Sequence, residues 1–519
     1  MQLVLAFVVL ILVTMVIIAK GWGDFGVSCL CYNYSTLRKF YVTNAIPYVN
    51  APPHIGHALE FIQTDVLARF HRALGEDVFY LSGADENALK NVLAAEAAGV
   101  SVADFVRTTT AAYEDLQSVL NLSYDDFILT SDRERHWPGV EKLWRACLAS
   151  GDIYQKDYEG LYCVGCEEFK TEKDLVEGVC PEHGKPPELV REKNYFFRLS
   201  RYQEELEQLI ASDSYRIVPE TRKNEVLSFV RSGLTDFSIS RSKERARGWG
   251  IPVPGDESQV IYVWYDALAN YITALGYAED SGRFQKYWPA DAHVVGKGIT
   301  RFHAVYWPAM LLSAGLALPK TLFVHGYLTA EGQKISKSLG NVIDPSELGK
   351  KYGSDTLRYY LLRAFSPFED GDFSLPRLEE TYNADLANGL GNLVSRIASL
   401  CEGSTLEFED YEPTLGKLLS PELRAIMDNF EFHRYLELVW ARISALDRFI
   451  NERKPWELLG GREPKAADRG LQEILSKLVC EVRELAVLVA PFIPQAAEKI
   501  AKQFGDRRIK LAAPLFPRR

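Results

Sequence analysis

From Lys39 onward the chain alternates between short apolar runs and amphipathic stretches. KFYVTNAI, Lys39 to Ile46, is β-rich, and a loop rich in proline and asparagine follows it. From His54, apolar residues recur at three-four spacing through Ile55, Leu59, Ile62, Val66, Leu67 and Phe70, which predicts a helix with one buried face. Asp77 to Ser82 is a second β-rich run, closed by Gly83. Strand, helix and strand at this spacing predict a βαβ unit and hence a parallel sheet. The same grammar returns at Ala292 to Gly296 and at Thr321 to His325, so a long middle insertion is expected to split the sheet. After Leu375 the period turns helical. Leu436, Val439, Ile443, Leu446 and Ile450 form one stripe, and Leu471, Ile474, Leu475, Leu478, Val482 and Leu485 another. The expected class is α/β with an all-helical C-terminal part.

Met1 to Ala19 breaks this pattern, being apolar except for Gln2 and Thr14. Such a stretch is just long enough to span a bilayer, but it lacks a basic leader and a convincing cleavage site. Three readings stay open: a membrane anchor (the one case in which membrane contact is expected), a targeting segment, or an extension from a misplaced start. The last is preferred, because nothing downstream needs a membrane. Over 519 residues, 47% hydrophobic and 25% charged composition fits a folded chain of several domains. A net charge of −11 excludes bulk, non-specific nucleic-acid binding, while leaving room for a local basic face. Eight cysteines are too few for a disulfide scaffold, so a reducing, cytoplasmic setting is expected.

Candidate chemistry sits where loops meet helices and strands. His54-Ile55-Gly56-His57 opens the first helix, where unsatisfied backbone N–H groups, two imidazoles and a glycine offer a seat for phosphate. Lys334-Ile335-Ser336-Lys337-Ser338 lies between Gly332 and Gly340, putting two ammonium groups and two hydroxyls on a segment able to swing. Cys163 and Cys166, then Cys180 and His183 after thirteen intervening residues, have the spacing of a tetrahedral Cys3His zinc site of structural type.

The first two motifs together resemble the class I aminoacyl-tRNA synthetases, and KISKS is similar to their KMSKS loop. From Arg38 to Arg519 the resemblance narrows to the bacterial and organellar methionyl-tRNA synthetase family. It is carried by TNAIPY before HIGH, by Val263-Trp264-Tyr265-Asp266-Ala267, and by Gly296-Lys297 with Arg301-Phe302-His303. The 58–333 interval is too short for the editing domain of the related leucine, isoleucine and valine enzymes.

The resemblance implies a ligase that activates methionine with ATP and Mg2+ and transfers it to the terminal adenosine of tRNA(Met), initiator tRNA included. His54, His57, Lys334 and Lys337 would be catalytic, with Gly56, Gly296, Lys297, Ser336 and Ser338 completing the ATP site. Ile46, Tyr48, Trp264, Ala267, Tyr271, Ile299 and His303 would surround the methionine side chain, with Asp85 near its ammonium group. Asn392, Arg396 and Trp456 would grip the anticodon.

The implied layout is a Rossmann-like catalytic domain in two halves, 38–121 and 240–330, split by a connective insertion, 122–239, bearing the zinc knuckle. Residues 331–375 would form the KISKS loop and stem-contact region, 376–519 the helical anticodon-binding domain, and 1–37 the apolar extension. With no domain appended after Arg519, a monomer is expected. Two departures stand out. Asn87-Ala88 replace the family's usual His-Gly, and Gly298 replaces an Asp, removing a hydrogen bond toward the nucleotide or substrate region.

Overall fold

In the computed structural model, six strands form one sheet in which every neighbouring pair is parallel. They are β1 (Lys39–Asn44), β2 (Asp77–Ala84), β3 (Asp126–Leu129), β4 (Arg216–Val218), β5 (Ala292–Gly296) and β6 (Thr321–His325). Their spatial order is β3-β2-β1-β5-β6-β4. The described residues are 38–519, apart from 164, 166–167, 171, 182–183, 336–339, 405 and 460–468, and Lys39–Arg519 make one unit. The apolar segment 1–37 therefore lies outside them. Among the described residues no helix is long and apolar enough to cross a membrane.

Alternation along each strand feeds two cores. Val42, Tyr80, Val294 and Phe323 pack on one face with helix α1 (Ile55–Ala73), while Tyr41, Phe79, Val295 and Leu322 pack on the other. Both faces are covered, which is why these strands read as nearly continuous apolar runs. All six residues of the stripe foreseen in α1 are buried. Fully burying such a side chain is worth about 1.5–3 kcal/mol, so packing holds this helix in place more than intrinsic propensity does. From β1 the chain crosses to β2 through α1, whereas β5 leads to β6 on the opposite side. The order reverses between β1 and β5, and ligands of open α/β sheets bind in the crevice beyond the carboxyl ends at such a point.

Two strands come from the stretch expected to be wholly insertion. β3 and β4 have only four and three residues, too short to display a period. The rest of that stretch includes an antiparallel sheet ordered Glu168–Lys170, Ile153–Cys163, Glu188–Phe197, Phe237–Ser238.

The helical half contains α2 (Pro345–Tyr352), α3 (Ser354–Arg363), α4 (Asn392–Ser404), α5 (Phe432–Arg453), α6 (Arg469–Val489) and α7 (Pro494–Gly505). The stripes foreseen in α5 and α6 are buried, except that Ile474 is half-buried. The bundle shares the sheet's core: Phe323 of β6 stacks on Phe430 at 4.5 Å, and Phe70 of α1 meets Tyr435 edge-on.

A buried ion pair ties these parts together. Arg358 of α3 and Asp65 of α1 are both fully buried and 2.7 Å apart. Arg358 also donates to the Phe492 and Pro491 carbonyls, each at 2.8 Å, and to that of Leu120. Asp65 accepts from Arg69 and from the Ser123 amide and hydroxyl. Burial works to raise the Asp65 pKa, but Arg358 and Arg69 outweigh it and hold the carboxyl below its ordinary value. Replacing Arg358 by Met should cost about 3–5 kcal/mol in urea unfolding, because it strands a buried carboxylate and its carbonyl partners. A loss below about 1 kcal/mol would contradict this role.

Candidate active site

The crevice at the carboxyl ends of β1 and β5 is bordered by the start of α1. His54 is its N-cap, in extended conformation. Its Nδ1 accepts from the Gly56 amide at 3.1 Å, and the His57 Nδ1 accepts from the His54 amide, also at 3.1 Å. The two rings lie 4.0 Å apart. A Cβ at position 56 would fall 2.9 Å from the His54 ring, so glycine there is what lets the ring fold back over the helix start.

This arrangement corrects the expectation of unsatisfied amides. The Ile55 amide donates to the Ile343 carbonyl at 3.0 Å, the Gly56 amide to His54 Nδ1, and the His57 amide to the His54 carbonyl. The helix start spends these donors internally. Burial lowers the His54 pKa from 6.5 to about 4 and lowers that of His57 well below 6.5, with His54 adding to the latter. Both rings are therefore neutral near pH 7. A neutral imidazole whose Nδ1 accepts carries its hydrogen on Nε2. The site thus offers two oriented Nε2–H donors in place of backbone amides.

The chain that follows the lysine-serine segment reaches the same helix. The segment's entry is a short antiparallel pair, Leu328–Ala330 with Gln333–Lys334, in which Lys334 is in register with Thr329. The Leu328 strand is flanked on its other side by Gly371–Phe373. Asp372 fastens this base by accepting from the Gly332 amide and the Thr329 hydroxyl, each at 2.7 Å. Ser336, Lys337 and Ser338 lie outside the described residues, but the chain returns through Gly340 to Ile343, whose carbonyl receives the Ile55 amide. The segment's exit is therefore hydrogen-bonded to the helix start that bears both histidines.

Beyond β5, Gly296 faces His325 and Tyr327. His325 bridges Glu60 of α1 at 2.8 Å and the Gly326 carbonyl at 2.7 Å. Lys297 is bound to Asp370 at 2.6 Å, so this expected ATP ligand already has a partner.

The expected methionine-pocket residues also converge. Tyr48 pairs with Asp85 in an isolated parallel bridge, and its ring meets Trp264 edge-on at 6.0 Å. Trp264 stacks on Phe302 at 3.8 Å and lies 6.3 Å from the His303 ring. The Tyr271 hydroxyl is 2.8 Å from His303 Nε2, while His303 Nδ1 is 3.0 Å from the Ile299 carbonyl. Burial brings the His303 pKa down to about 4, so the ring accepts from Tyr271 as neutral imidazole with hydrogen on Nδ1. Ile46 and Ile299 are half-buried against the same core, and Ala267 is buried.

Behind this pocket runs a polar chain that sequence reading did not find. The Asp85 carboxylate accepts from the Asn87 amide at 3.0 Å and the Thr130 hydroxyl at 3.2 Å. The Asn87 side chain donates to the Thr130 carbonyl at 2.8 Å and to Asp266 at 2.7 Å. Asp266 meets His136 Nε2 at 2.6 Å, and His136 Nδ1 meets Thr273 at 2.7 Å. All six residues are buried. His136 precedes a Trp-Pro helix start, and nothing local in the sequence signals its partner 130 residues away. Arg241 was missed as well. It is buried, lies over the Tyr262 ring at 4.2 Å, and lines a small cleft with Asn87 and Val263.

The remaining candidates lie elsewhere. Cys163 and Cys180 are buried, whereas Cys166 and His183 fall outside the described residues. The Cys180 amide donates to the Lys185 carbonyl and the Gly184 amide to the Cys180 carbonyl. In the bundle, Arg396 of α4 pairs with Asp447 and, at 2.7 Å, with Asn451 of α5. Asn392 is exposed one turn before Arg396, and Trp456 is 43% exposed just beyond α5.

Comparison with known proteins bears on this site. The family described as "tRNA synthetases class I (M)" matches residues 40–186 and 174–398. The methionine–tRNA ligase of Brucella suis biovar 1 is 43% identical over 501 residues, spanning 92% of this chain and 95% of its own. That of Mycobacterium bovis is 42% identical over 486 residues, spanning 91% and 92%. The structure of Mycobacterium tuberculosis methionyl-tRNA synthetase in complex with methionyl-adenylate superposes with a TM-score of 0.85 at 38% identity. That match covers 93% of this chain and 100% of the other.

Because Asn87 must donate twice, Asn87→Asp sets a second carboxylate against Asp266. Stability at pH 7.5 should fall by about 2 kcal/mol, and part of the loss should return as pH drops through the carboxylate range and the new group regains a hydrogen. Urea unfolding at pH 7.5 and pH 5 reads both; a loss independent of pH would contradict the donor role.

Proposed function

The chain belongs to the methionyl-tRNA synthetase family of class I and is an aminoacyl-tRNA ligase for methionine; on that premise we propose how its own residues serve the two steps. In the first, a carboxylate oxygen of methionine attacks the α-phosphorus of ATP, the new C–O–P linkage forms, and pyrophosphate leaves. The nucleophile is already ionised, so no general base is required. What the reaction demands is stabilisation of charge on the phosphates.

The Nε2–H groups of His54 and His57 meet the triphosphate, with Gly56 allowing close approach. Lys334 and Lys337, assisted by Ser336 and Ser338, bring positive charge to the departing pyrophosphate from a strap that closes and reopens. The single observation supporting this most is the Ile55 amide bonded to the Ile343 carbonyl, which joins the strap's exit to the histidine-bearing helix start. Gly296 and Lys297 border the nucleotide beyond β5. Mg2+ carried on the ATP phosphates would neutralise part of their charge. Methionine's apolar, polarizable thioether suits a pocket of Ile46, Tyr48, Trp264, Ala267, Tyr271, Ile299 and His303. Asp85 faces its ammonium group, and the Asn87–Thr130 contacts hold that carboxylate in orientation.

In the second step a ribose hydroxyl of the terminal adenosine, the 2′ by class resemblance, attacks the adenylate carbonyl and AMP departs. Residues 331–375 support the acceptor stem, and 376–519 bind the anticodon shared by initiator and elongator tRNA(Met). Asn392 and Arg396 hydrogen-bond splayed bases there and Trp456 stacks on one. Cys163, Cys166, Cys180 and His183 would hold a structural zinc ion. Burial of Cys163 and Cys180 supports this reading, and bound zinc would cross-link the insertion.

Lys337→Ala should slow methionine-dependent ATP–pyrophosphate exchange by roughly 100-fold or more, with the methionine KM nearly unchanged. Unaltered turnover would remove Lys337 from the strap's chemistry. Trp456→Ala should raise the tRNA KM by about 10-fold and leave exchange intact. A parallel loss of exchange would mean that the tryptophan holds the fold instead.

A further inference from the structure

The carbonyl of His303 has a partner that its own helix does not provide. Trp307 donates its amide five residues back, to Phe302, so Phe302–Tyr306 forms a π turn ahead of the helix Trp307–Ser313. In that register the donor for His303 would come from position 308. That position is Pro308, which has no N–H and whose ring would crowd the carbonyl four residues back in an α-helical register. The hydroxyl of Tyr215 takes the vacant place, donating to the His303 carbonyl at 2.7 Å. Both residues are buried, so water offers neither of them an alternative. Burial also pushes the Tyr215 pKa well above its ordinary value, so the phenol keeps the hydrogen it donates.

Three contacts then fix where the His303 ring stands. Its Nδ1 is bonded to the Ile299 carbonyl one turn earlier, its Nε2 to the Tyr271 hydroxyl, and its backbone to Tyr215. The first lies within the turn and the second within the pocket wall; the third ties the turn to the sheet. Tyr215 directly precedes β4, whose Arg216 pairs with Thr321 of β6 and donates its amide to the Lys320 carbonyl at 3.0 Å. Phe302, in the same turn, stacks on Trp264 at 3.8 Å, so a shift of the turn would move two walls of the pocket at once. We propose that Tyr215 is a positioning residue for methionine, holding the π turn through the His303 carbonyl and with it the His303 ring and the Phe302–Trp264 stack. Its hydroxyl is spent on that carbonyl, so it acts through His303 and not by contact with substrate. Pro308 makes the tyrosine necessary, because another residue there would supply the missing amide itself.

The inference rests on the methionine pocket proposed above, and His303→Ala tests that pocket separately: titration calorimetry should show methionine bound roughly 10-fold more weakly or worse. Tyr215→Phe keeps the ring and removes the donor. Its methionine Kd, and the methionine KM of pyrophosphate exchange, should rise roughly 5- to 20-fold. The ATP KM and the kcat at saturating methionine should change by less than about 2-fold. A tyrosine that only held the fold together would lower the melting temperature without this split. Adding Pro308→Ala to Tyr215→Phe restores an N–H in register with the carbonyl, and should return the methionine Kd to within about 3-fold of the unsubstituted protein. An unchanged methionine Kd in Tyr215→Phe would overturn the proposal, and so would a double variant that binds no more tightly than Tyr215→Phe. If His303→Ala also binds methionine normally, the pocket assignment falls with it; if His303→Ala weakens binding and Tyr215→Phe does not, the pocket stands and only the role of Tyr215 is lost.

Discussion

The Asp65–Arg358 pair sits where the sheet, its first crossover helix and the helical half of the chain meet. A fully buried arginine is tolerated only when its charge and its donors are all answered, and here a carboxylate and backbone carbonyls from separate segments answer them. Those segments have no freedom to drift: moving any one would leave a desolvated charge or an orphaned carbonyl. The pair grips α1 at its middle, and α1 carries both histidines at its start. Its position relative to α3 and the bundle is thereby held by electrostatics as well as by the shared aromatic core around Phe323, Phe430 and Tyr435.

From that anchored helix follows the character of the groups at its start. The fixed groups are neutral. Desolvation removes the charge from His54 and His57, and their Nδ1 atoms are occupied by local amides, so what remains is a pair of directional Nε2–H donors that cost no reorganisation. The described residues that flank the lysine-serine motif enter it from a small sheet fastened by Asp372 and leave it through Ile343. Permanent ammonium groups buried beside the helix start would themselves be desolvated.

The departures at 87 and 298 have structural answers of different kinds. Asn87 supplies two donors at a point where a carbonyl and a carboxylate both need one, linking Asp85 to Asp266, His136 and Thr273 through an unbroken buried chain. Gly298 supplies nothing itself and instead yields space to Tyr327, which arrives from the strand pair beneath the strap. Neither substitution leaves a hole, because in each case a group distant in sequence occupies or satisfies the vacated position.

Sequence by itself determined the elements and the chemical inventory: the stripes of α1, α5 and α6, the apolar runs of β1, β2, β5 and β6, the two imidazoles and the strap lysines. These were legible because burial of one face imposes a period on consecutive residues, and because phosphate chemistry calls for particular side chains at particular spacings. Only the tertiary structure decided the rest. β3 and β4 are too short to carry a period, and they join the sheet because neighbours offer them free edges. The Ile55–Ile343 and Asp65–Arg358 contacts, the His136–Asp266 pair and the overlap of Tyr327 with Gly298 each join residues far apart in the chain. A one-dimensional pattern records what each residue can do, whereas hydrogen bonds and steric exclusion depend on which residues the fold brings within a few ångströms.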